Sequence, residues 1–191
     1  PNEPNTSIAR RWISNFNKNK TDNVHFFLDS FLSVKVIIKS LNQWLKLVVK
    51  SIPLEKEIVR LLKNHQNEWL WPIINKDWKS SVYGVAAMQN ILWVNLFEKA
   101  MGAIPKQELG LYLCENLDWE RAFIHFWKKH GHGHLIAVPH STIRYWDLRY
   151  FDDRRVWDSK DILSQPIADQ IAVNGPLSWN TFKRAKQPLD R

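Results

Sequence analysis

The sequence predicts an α/β fold in which a parallel sheet of at least three strands is flanked by helices. The apolar run Leu109–Cys114 has the length of a buried strand, and a second apolar run covers residues 135–138. Between them lies a helix whose apolar face carries Trp119, Ala122, Phe123, Phe126 and Trp127. Asp118 is expected to cap this helix and Gly131 to end it. The segment is therefore predicted to be a strand, helix, strand unit.

Further helices are predicted before this unit. The polar residues 1–23 include a short helix around 8–16, and residues 33–51 form a basic amphipathic helix. The apolar stripe of that helix consists of Val34, Ile37, Ile38, Leu41, Leu45, Val48 and Val49. Its other faces carry Lys35, Lys39, Lys46 and Lys50. The stripe is interpreted as the core side of the helix, with contact to an anionic membrane surface as the alternative.

Two more helices are expected before the first strand. Pro53 is suited to the first turn of a new helix. Residues 82–100 form a long helix that Ser80 or Ser81 could cap, and Gly102 is expected to stop it.

A tryptophan-rich segment lies between these two helices, around Pro72. It contains Trp69, Trp71 and Trp78. Aromatic side chains of this kind either fill a core or stack on sugar rings, and the sequence leaves both uses open.

The C-terminal part supplies a third strand, predicted at residues 170–173, followed by a loop at 174–176 and a helix. We therefore divide the chain into an N-terminal helical region, 1–79, that packs on the core and a Rossmann-like α/β domain, 80–191. The chain starts at Pro1 and stops soon after the last helix. It is expected to be part of a longer, two-domain protein.

Composition narrows the class of partner. A chain of 191 residues with 45% hydrophobic residues can bury a core. The net charge of +8 and a pI near 9.6 favour an anionic partner. Nucleic acid is not expected, because the basic residues are scattered among acids. Cys114 is the single cysteine, so no disulfide is possible within the chain. A cytoplasmic protein is expected, with peripheral contact to the inner membrane as an alternative.

Polar residues follow the first two predicted strands directly. Glu115 and Asn116 follow the first, and His140, Ser141 and Thr142 come after Pro139 at the end of the second. Carboxyl ends of parallel strands meet at one edge of the sheet, where ligands of open α/β folds bind. A histidine held there can remove a proton from an acceptor hydroxyl near neutral pH. The alternative is a structural histidine whose ring nitrogens bond to backbone.

Glu115 has several possible roles at this edge. It could hold His140 in one tautomer, bind a ligand hydroxyl or act as the base itself. Alternatively, Glu115 or Asn116 simply caps the following helix. Glu120, one turn into that helix, is interpreted as a helix-dipole or salt-bridge partner.

Anion-binding groups are also predicted near this edge. Arg144 is the candidate phosphate ligand, and Ser141 and Thr142 could donate to the same anion. Asn174 and Gly175 close the third strand, where glycine lets the backbone approach a ligand. The neighbouring arginines are expected to form ion pairs with nearby acids; they are Arg149, Arg154 and Arg155.

Metal and dinucleotide sites are not expected. His130, His132 and His134 alternate with glycines, but nothing nearby completes a ligand set, and the stretch is explained as a helix stop and a tight turn. No GxGxxG motif follows a strand, so no cofactor is predicted. Cys114 has no activating partner in the sequence and is expected to pack rather than react.

The segment ENLDWERAFIHFWKKHGHGHLIAVPHSTIRYWDLRYF, residues 115–151, resembles a family of bacterial surface-carbohydrate biosynthesis proteins similar to two-Rossmann-domain (GT-B) glycosyltransferases. The matching residues are Glu115, Asn116, Trp119 to Ala122, His130 to Gly133, Pro139, His140, Thr142, Arg144 and Asp147 to Phe151. The likeness extends over about residues 71–176. A broader likeness relates the loop after Val138 to histidine loops of capsule and teichoic-acid polymer transferases, where this chain has Ser141 in place of the usual glycine.

This resemblance implies the acceptor-side part of a glycosyltransferase-like enzyme of surface polysaccharide biosynthesis. His140 would be the base, Glu115 would orient the acceptor, and the acceptor would be a sugar or sugar phosphate. The nucleotide-sugar donor would be held by a second domain, so the chain alone is not expected to be active. The alternative is a non-catalytic module that binds a glycan or a membrane surface through its tryptophans and the helix at residues 33–51.

Overall fold

The computed structural model describes residues 6–18, 24–144, 146–147, 150–151 and 166–185; residues 6–10 and 16 are described by their backbone. The helices are α1 (Thr6–Lys18), α2 (Val34–Asn64), α3 (Trp71–Val82), α4 (Val85–Ala103), α5 (Asp118–Lys129) and α6 (Pro176–Arg184). The strands are β1 (Leu109–Cys114), β2 (His134–Pro139) and β3 (Gln170–Ile171). Two short 3-10 turns, Leu28–Phe31 and Glu68–Leu70, precede α2 and α3.

The three strands form one parallel sheet in the order β1-β2-β3. Leu109 is aligned with His134 at one end of the β1–β2 pair and Cys114 with Pro139 at the other. The predicted α/β fold, with a parallel sheet flanked by helices after an N-terminal helical region, is confirmed. The third strand is shorter than the predicted 170–173, although the N–H of Ala172 still reaches the carbonyl of Ala137 at 2.8 Å.

Helix α5 covers one face of the sheet, as its apolar stripe predicts. The rings of Tyr112 and Phe123 meet edge to face, with centroids 5.7 Å apart. Gly110 leaves room for the indole of Trp127, since a Cβ at that position would lie 2.5 Å from the ring. Helix α4 packs on α5, and α2 packs on α4. The core is therefore built from the inner face of the sheet and the helices stacked on it.

The end of α5 is also as predicted. Gly131 has φ +70° and its N–H bonds to the carbonyl of Lys128, while the N–H of His132 bonds to the carbonyl of Trp127. This pair of bonds is the Schellman motif, which needs a residue in the left-handed region just after the helix. Gly131 therefore turns the chain directly towards β2.

The other face of β1 is open in the described part of the chain. Leu109, Leu111 and Leu113 are each more than half exposed. They alternate with Gly110 and Tyr112, which face α5, as the two-residue period of a strand requires.

Two predicted helix boundaries are wrong because tertiary contacts override local signals. Helix α2 continues through Pro53, which costs one backbone hydrogen bond. Its second half is held by Glu55, which accepts hydrogen bonds from Tyr83 at 2.8 Å and Trp78 at 3.3 Å. Gly102 lies within α4 rather than after it. A Cβ at this position would come within 2.9 Å of the His130 ring. Close packing explains this glycine.

The start of α4 also differs from the prediction. Ser80 and Ser81 lie in α3, which begins with Pro72 in its first turn, and α4 starts only at Val85 with Gly84 as its N-cap. Trp78 is used in the contact with Glu55, whereas Trp69 is 61% exposed. Stacking of these tryptophans on sugars stays a prediction.

The apolar stripe of α2 does not face the core, so that interpretation is wrong. The buried positions of α2 are Val36, Ser40 and Ser51. Asn95 of α4 donates to the Ser40 hydroxyl at 3.0 Å and to the Gln43 side chain at 2.6 Å. Small and polar side chains make this helix contact, which leaves the stripe on the outside. No helix in the described ranges combines the length and apolarity needed to cross a membrane.

Candidate functional site

The loop between β1 and α5 is organised by a buried carboxylate. Glu120 is 3% exposed, and its Oε1 accepts the backbone N–H groups of Glu115 at 2.8 Å and Leu117 at 2.9 Å. Asn116 between them has φ +57°, a left-handed conformation that asparagine tolerates better than most residues. This conformation reverses the chain so that both neighbouring amides point at one carboxylate.

The predicted N-terminal cap of α5 is wrong. Leu117 is the N-cap, and Asp118 is the first helical residue and accepts a hydrogen bond from Asn90 at 3.2 Å. Leucine has no side-chain acceptor, so Glu120 supplies the bond from the third helical position, as the glutamate of a capping box does. The sequence predicted a helix-dipole or salt-bridge role for Glu120 rather than this capping role, although a glutamate three residues after the N-cap is the known signal for it.

Glu120 also changes what this loop can bind. The amides of a βα loop and the positive end of the following helix commonly hold phosphate groups. Here two of those amides already bond to a carboxylate of the same chain. A phosphate would have to displace that carboxylate, so the loop is a poor site for a nucleotide.

The structure brings His140 and Glu115 together. Nδ1 of His140 lies 3.4 Å from Oε1 of Glu115, and the two side chains are 50% and 35% exposed. The residues before them, Cys114 and Pro139, are aligned partners at the ends of β1 and β2. The contact uses Nδ1, so Nε2 is the ring nitrogen that could take a proton from a bound hydroxyl. The adjacency expected from the strand ends is present.

The loop after β2 is fastened to the start of α6. Ile143 is fully buried, and its N–H donates to the hydroxyl of Ser178 at 3.1 Å. Ser178 in turn donates to the side-chain oxygen of Asn174 at 2.8 Å. Asn174 thus supports the loop through Ser178, a residue that the sequence analysis missed because nothing in its pattern distinguishes it from other serines.

The remaining predicted binding residues are exposed; three of them lie around the buried Ile143. Ser141, Thr142 and Arg144 flank the buried Ile143 and are open to solvent. Gly175 has φ +98°, precedes α6 as its N-cap, and has open space where a side chain would start. Their roles as ligands stay predictions. Arg149, Arg154 and Arg155 lie outside the described residues.

A cavity of about 320 Å³ opens beside the loop between β1 and α5. Its lining includes Tyr112, Cys114, Asn116, Glu120 and Tyr150. The Asn116 Nδ2 atom is buried and has no hydrogen-bond partner among the described residues. Glu115 and His140 are not part of this lining. The edge of the sheet therefore offers an exposed pair of side chains and a separate cavity.

The thiol in this cavity is held in its neutral form. Burial raises the pKa of the Cys114 thiol to about 11 and raises the pKa of the Tyr112 hydroxyl above its ordinary value. The thiolate is the nucleophilic form of cysteine, so the raised pKa disfavours reaction of Cys114 near neutral pH. This supports the expectation that it packs.

His132, just before β2, has a structural environment. His132 is 8% exposed; its Nδ1 accepts the N–H of Gln107 at 3.1 Å, and its Nε2 lies 2.9 Å from the carbonyl of Met101. Because Nδ1 is the acceptor, Nε2 carries the proton and donates. The ring also stacks on Trp127. In the part of the chain that the structure describes, no group of three or more histidine, cysteine or acidic side chains could hold a metal ion.

An ion pair joins α5 to the residue before β3, close to the amino end of β2. Asp169 accepts from Lys128 at 2.8 Å and from the N–H of Leu135 at 2.9 Å. Burial by itself would raise the pKa of the Asp169 carboxyl, but these two hydrogen bonds and the Lys128 charge lower it below its usual value. Asp169 therefore stabilises the fold in its charged form.

Comparisons with protein families, with curated proteins and with solved structures found no match.

Proposed function

We propose that this chain is the acceptor-side domain of a glycosyltransferase-like enzyme of surface-polysaccharide synthesis, in which His140 deprotonates an acceptor hydroxyl. The observation that carries the proposal is the 3.4 Å contact between His140 Nδ1 and Glu115 Oε1 at the carboxyl edge of the sheet. The resemblance of residues 115–151 to surface-carbohydrate biosynthesis proteins supplies the reaction class.

The pair can perform the proton transfer that such a reaction needs. A carboxylate 3.4 Å from Nδ1 favours the tautomer that carries its proton on Nδ1, which leaves Nε2 to take the proton of an acceptor hydroxyl. The hydroxyl oxygen then forms a bond to the anomeric carbon of the donor, and the nucleotide leaves with the electron pair of the broken bond. The carboxylate stabilises the imidazolium that results. Ser141, Thr142 and Arg144, which are exposed just after His140, would contact the hydroxyl or phosphate groups of the acceptor.

The environment of Glu120 supports an acceptor rather than a nucleotide at this edge. The amides of Glu115 and Leu117 are occupied by the Glu120 carboxylate, whose charge also repels phosphate. A sugar hydroxyl carries no charge and needs none of these donors. The nucleotide of the donor would then be held by another domain.

Ligand-observed NMR tests the proposal on this chain. Saccharides, sugar phosphates, nucleotides and nucleotide-sugars are screened against the unmodified chain and the His140→Ala and Glu115→Gln variants. His134→Ala is the matched control, because His134 is an exposed histidine at the other end of the same strand. We expect saccharide or sugar-phosphate signals that weaken in both site variants and persist in the control. Nucleotide signals alone, or no signal from any saccharide or sugar phosphate, would contradict the proposal.

A further inference from the structure

Helix α2 carries an exposed apolar stripe along more than half of its length. The stripe, called the α2 stripe below, consists of Val34, Ile38, Leu41, Leu45, Val49 and Ile52. Spacings of three and four residues place these side chains on one side of the helix. Their exposed fractions are 71%, 53%, 44%, 53%, 67% and 50%. Side chains of this size are normally covered when they form so long a continuous row.

The α2 stripe points away from the described body of the protein. Val36 and Ser40, which are buried against α4, lie well around the helix from Ile38 and Leu41 at 100° per residue. Asn95 of α4 bonds to Ser40 on that buried side. The helix therefore has one side committed to α4 and a separate apolar side facing out.

The helix itself carries only positive charges over the length of the stripe. Lys35, Lys46 and Lys50 are exposed and lie between the stripe and the side that contacts α4, and Lys39 in the same sector is paired with Glu98 of α4. No aspartate or glutamate occurs in α2 before Glu55. The whole chain carries a net charge of +8. A partner for this surface should offer apolar contact together with negative charge.

We propose that the α2 stripe docks this chain on the surface of an anionic lipid bilayer, with α2 lying in the interface. The six apolar side chains would enter the boundary between headgroups and acyl chains. The flanking lysines would keep their stems along the apolar layer and their ammonium groups among the lipid phosphates. The stripe spans about 27 Å of helix, which suits a helix parallel to the surface. This surface is separate from the His140 site and does not depend on the proposed function.

Vesicle co-sedimentation tests the docking. The full chain is mixed with vesicles of equimolar phosphatidylglycerol and phosphatidylcholine and, separately, of phosphatidylcholine alone. The stripe variant combines Ile38→Ser, Leu45→Ser and Val49→Ser, which are exposed positions. Its control combines Ile73→Ser, Val85→Ser and Leu111→Ser, which are exposed apolar positions outside α2. We expect binding to the anionic vesicles that is lost in the stripe variant and kept in its control.

A charge variant tests whether the lysines of α2 contribute to the binding. Lys35→Gln, Lys46→Gln and Lys50→Gln together should weaken binding to anionic vesicles by on the order of a hundredfold, since each lysine near such a surface contributes about fivefold. The control variant neutralises the exposed lysines Lys76, Lys106 and Lys183. Added salt should weaken binding by the unmodified chain.

Three results would overturn the proposal. They are no binding to anionic vesicles by the unmodified chain, equal binding by the stripe variant, and an equal loss in the control lysine variant. Sedimentation velocity without lipid tests the other possible occupant of the stripe, a second copy of the chain. Self-association that disappears in the stripe variant, with no vesicle binding, would show that a second copy of the chain covers the stripe instead.

Discussion

A histidine lies near each end of β2, and the two are used in opposite ways. His132, before the strand, is 8% exposed and has both ring nitrogens bonded to backbone groups. His140, after the strand, has half of its side chain exposed and contacts a carboxylate through Nδ1. A ring with both nitrogens bonded to backbone groups stabilises the fold, whereas a half-exposed ring with one nitrogen near a carboxylate is suited to moving a proton.

The surroundings of the two ends differ in the same way. At the amino end, His132 links the segment after α4 to the turn after α5, and the N–H of Gly133 bonds to the carbonyl of Gln107 at 2.7 Å. At the carboxyl end, Ser141, Thr142 and Arg144 are exposed around one buried anchor, Ile143. The amino end of β2 is therefore built for stability, whereas the carboxyl end carries the candidate site.

The largest expected effect is at His132. His132→Ala should destabilise the fold by about 3 to 4 kcal/mol, because it leaves the Gln107 N–H and the Met101 carbonyl without partners and opens a space beside Trp127. Chemical denaturation measures the free energy of unfolding. His134→Ala, at an exposed neighbour, should change it little; a similar loss in both variants would remove the special role of His132.

Glu120 gives the next effect. Glu120→Ala should cost about 3 kcal/mol, since two backbone N–H groups lose their acceptor. The freed N–H groups at the start of α5 should then donate hydrogen bonds to an anion. Inorganic phosphate is therefore expected to raise the melting temperature of this variant more than that of the unmodified chain. Equal stabilisation of both would contradict the claim that Glu120 blocks the loop. Asp118→Ala is the control in the same turn.

Asp169, which bonds to Leu135 near the amino end of β2, gives a pH-dependent test of stability at that end. Its lowered pKa means that it contributes stability above the ordinary value of 3.8, and that this contribution is lost as the pH falls through the folded-state pKa. Asp169→Asn should cost about 1 kcal/mol at neutral pH, because solvent partly screens the Lys128 pair. The free energies of unfolding of the unmodified chain and of Asp169→Asn should converge as the pH falls below about 4. A constant gap down to pH 3 would show that the Asp169 charge is unimportant.

The smallest effect on stability is expected at His140. His140→Ala and Glu115→Gln should each lie within about 0.5 kcal/mol of the unmodified chain, since both side chains are partly exposed and hold no buried backbone group. Thermal and chemical unfolding give this value. A loss as large as that in His132→Ala would mean that His140 is structural.

Periodicity was sufficient to predict the central unit of the fold. The run Leu109–Cys114, the apolar face of α5 and the glycine stop at Gly131 each depend on neighbours close in sequence. Pro53 and Gly102 were misread as boundaries because distant contacts decide whether a helix continues. The core side of α2 was misassigned for the same reason. Hydropathy cannot show that Ser40 and Asn95 make the contact between α2 and α4.

The candidate site was predictable only where it follows from topology. Two polar residues that directly follow adjacent parallel strands must lie near each other, which placed Glu115 beside His140. The left-handed conformation of Asn116 and the anchoring of Ile143 by Ser178 depend on tertiary geometry. Neither leaves a periodic signal in the sequence.

The most direct test of the comparison is to map a bound saccharide on the backbone amides of the chain. Titration with the saccharide that gives the strongest ligand-observed signal is followed in ¹H–¹⁵N correlation spectra. We expect shift changes at residues 115–117 and 140–144 that His140→Ala abolishes. Changes centred on Gln107 and residues 131–134, or no saccharide-dependent change at the carboxyl edge, would contradict it.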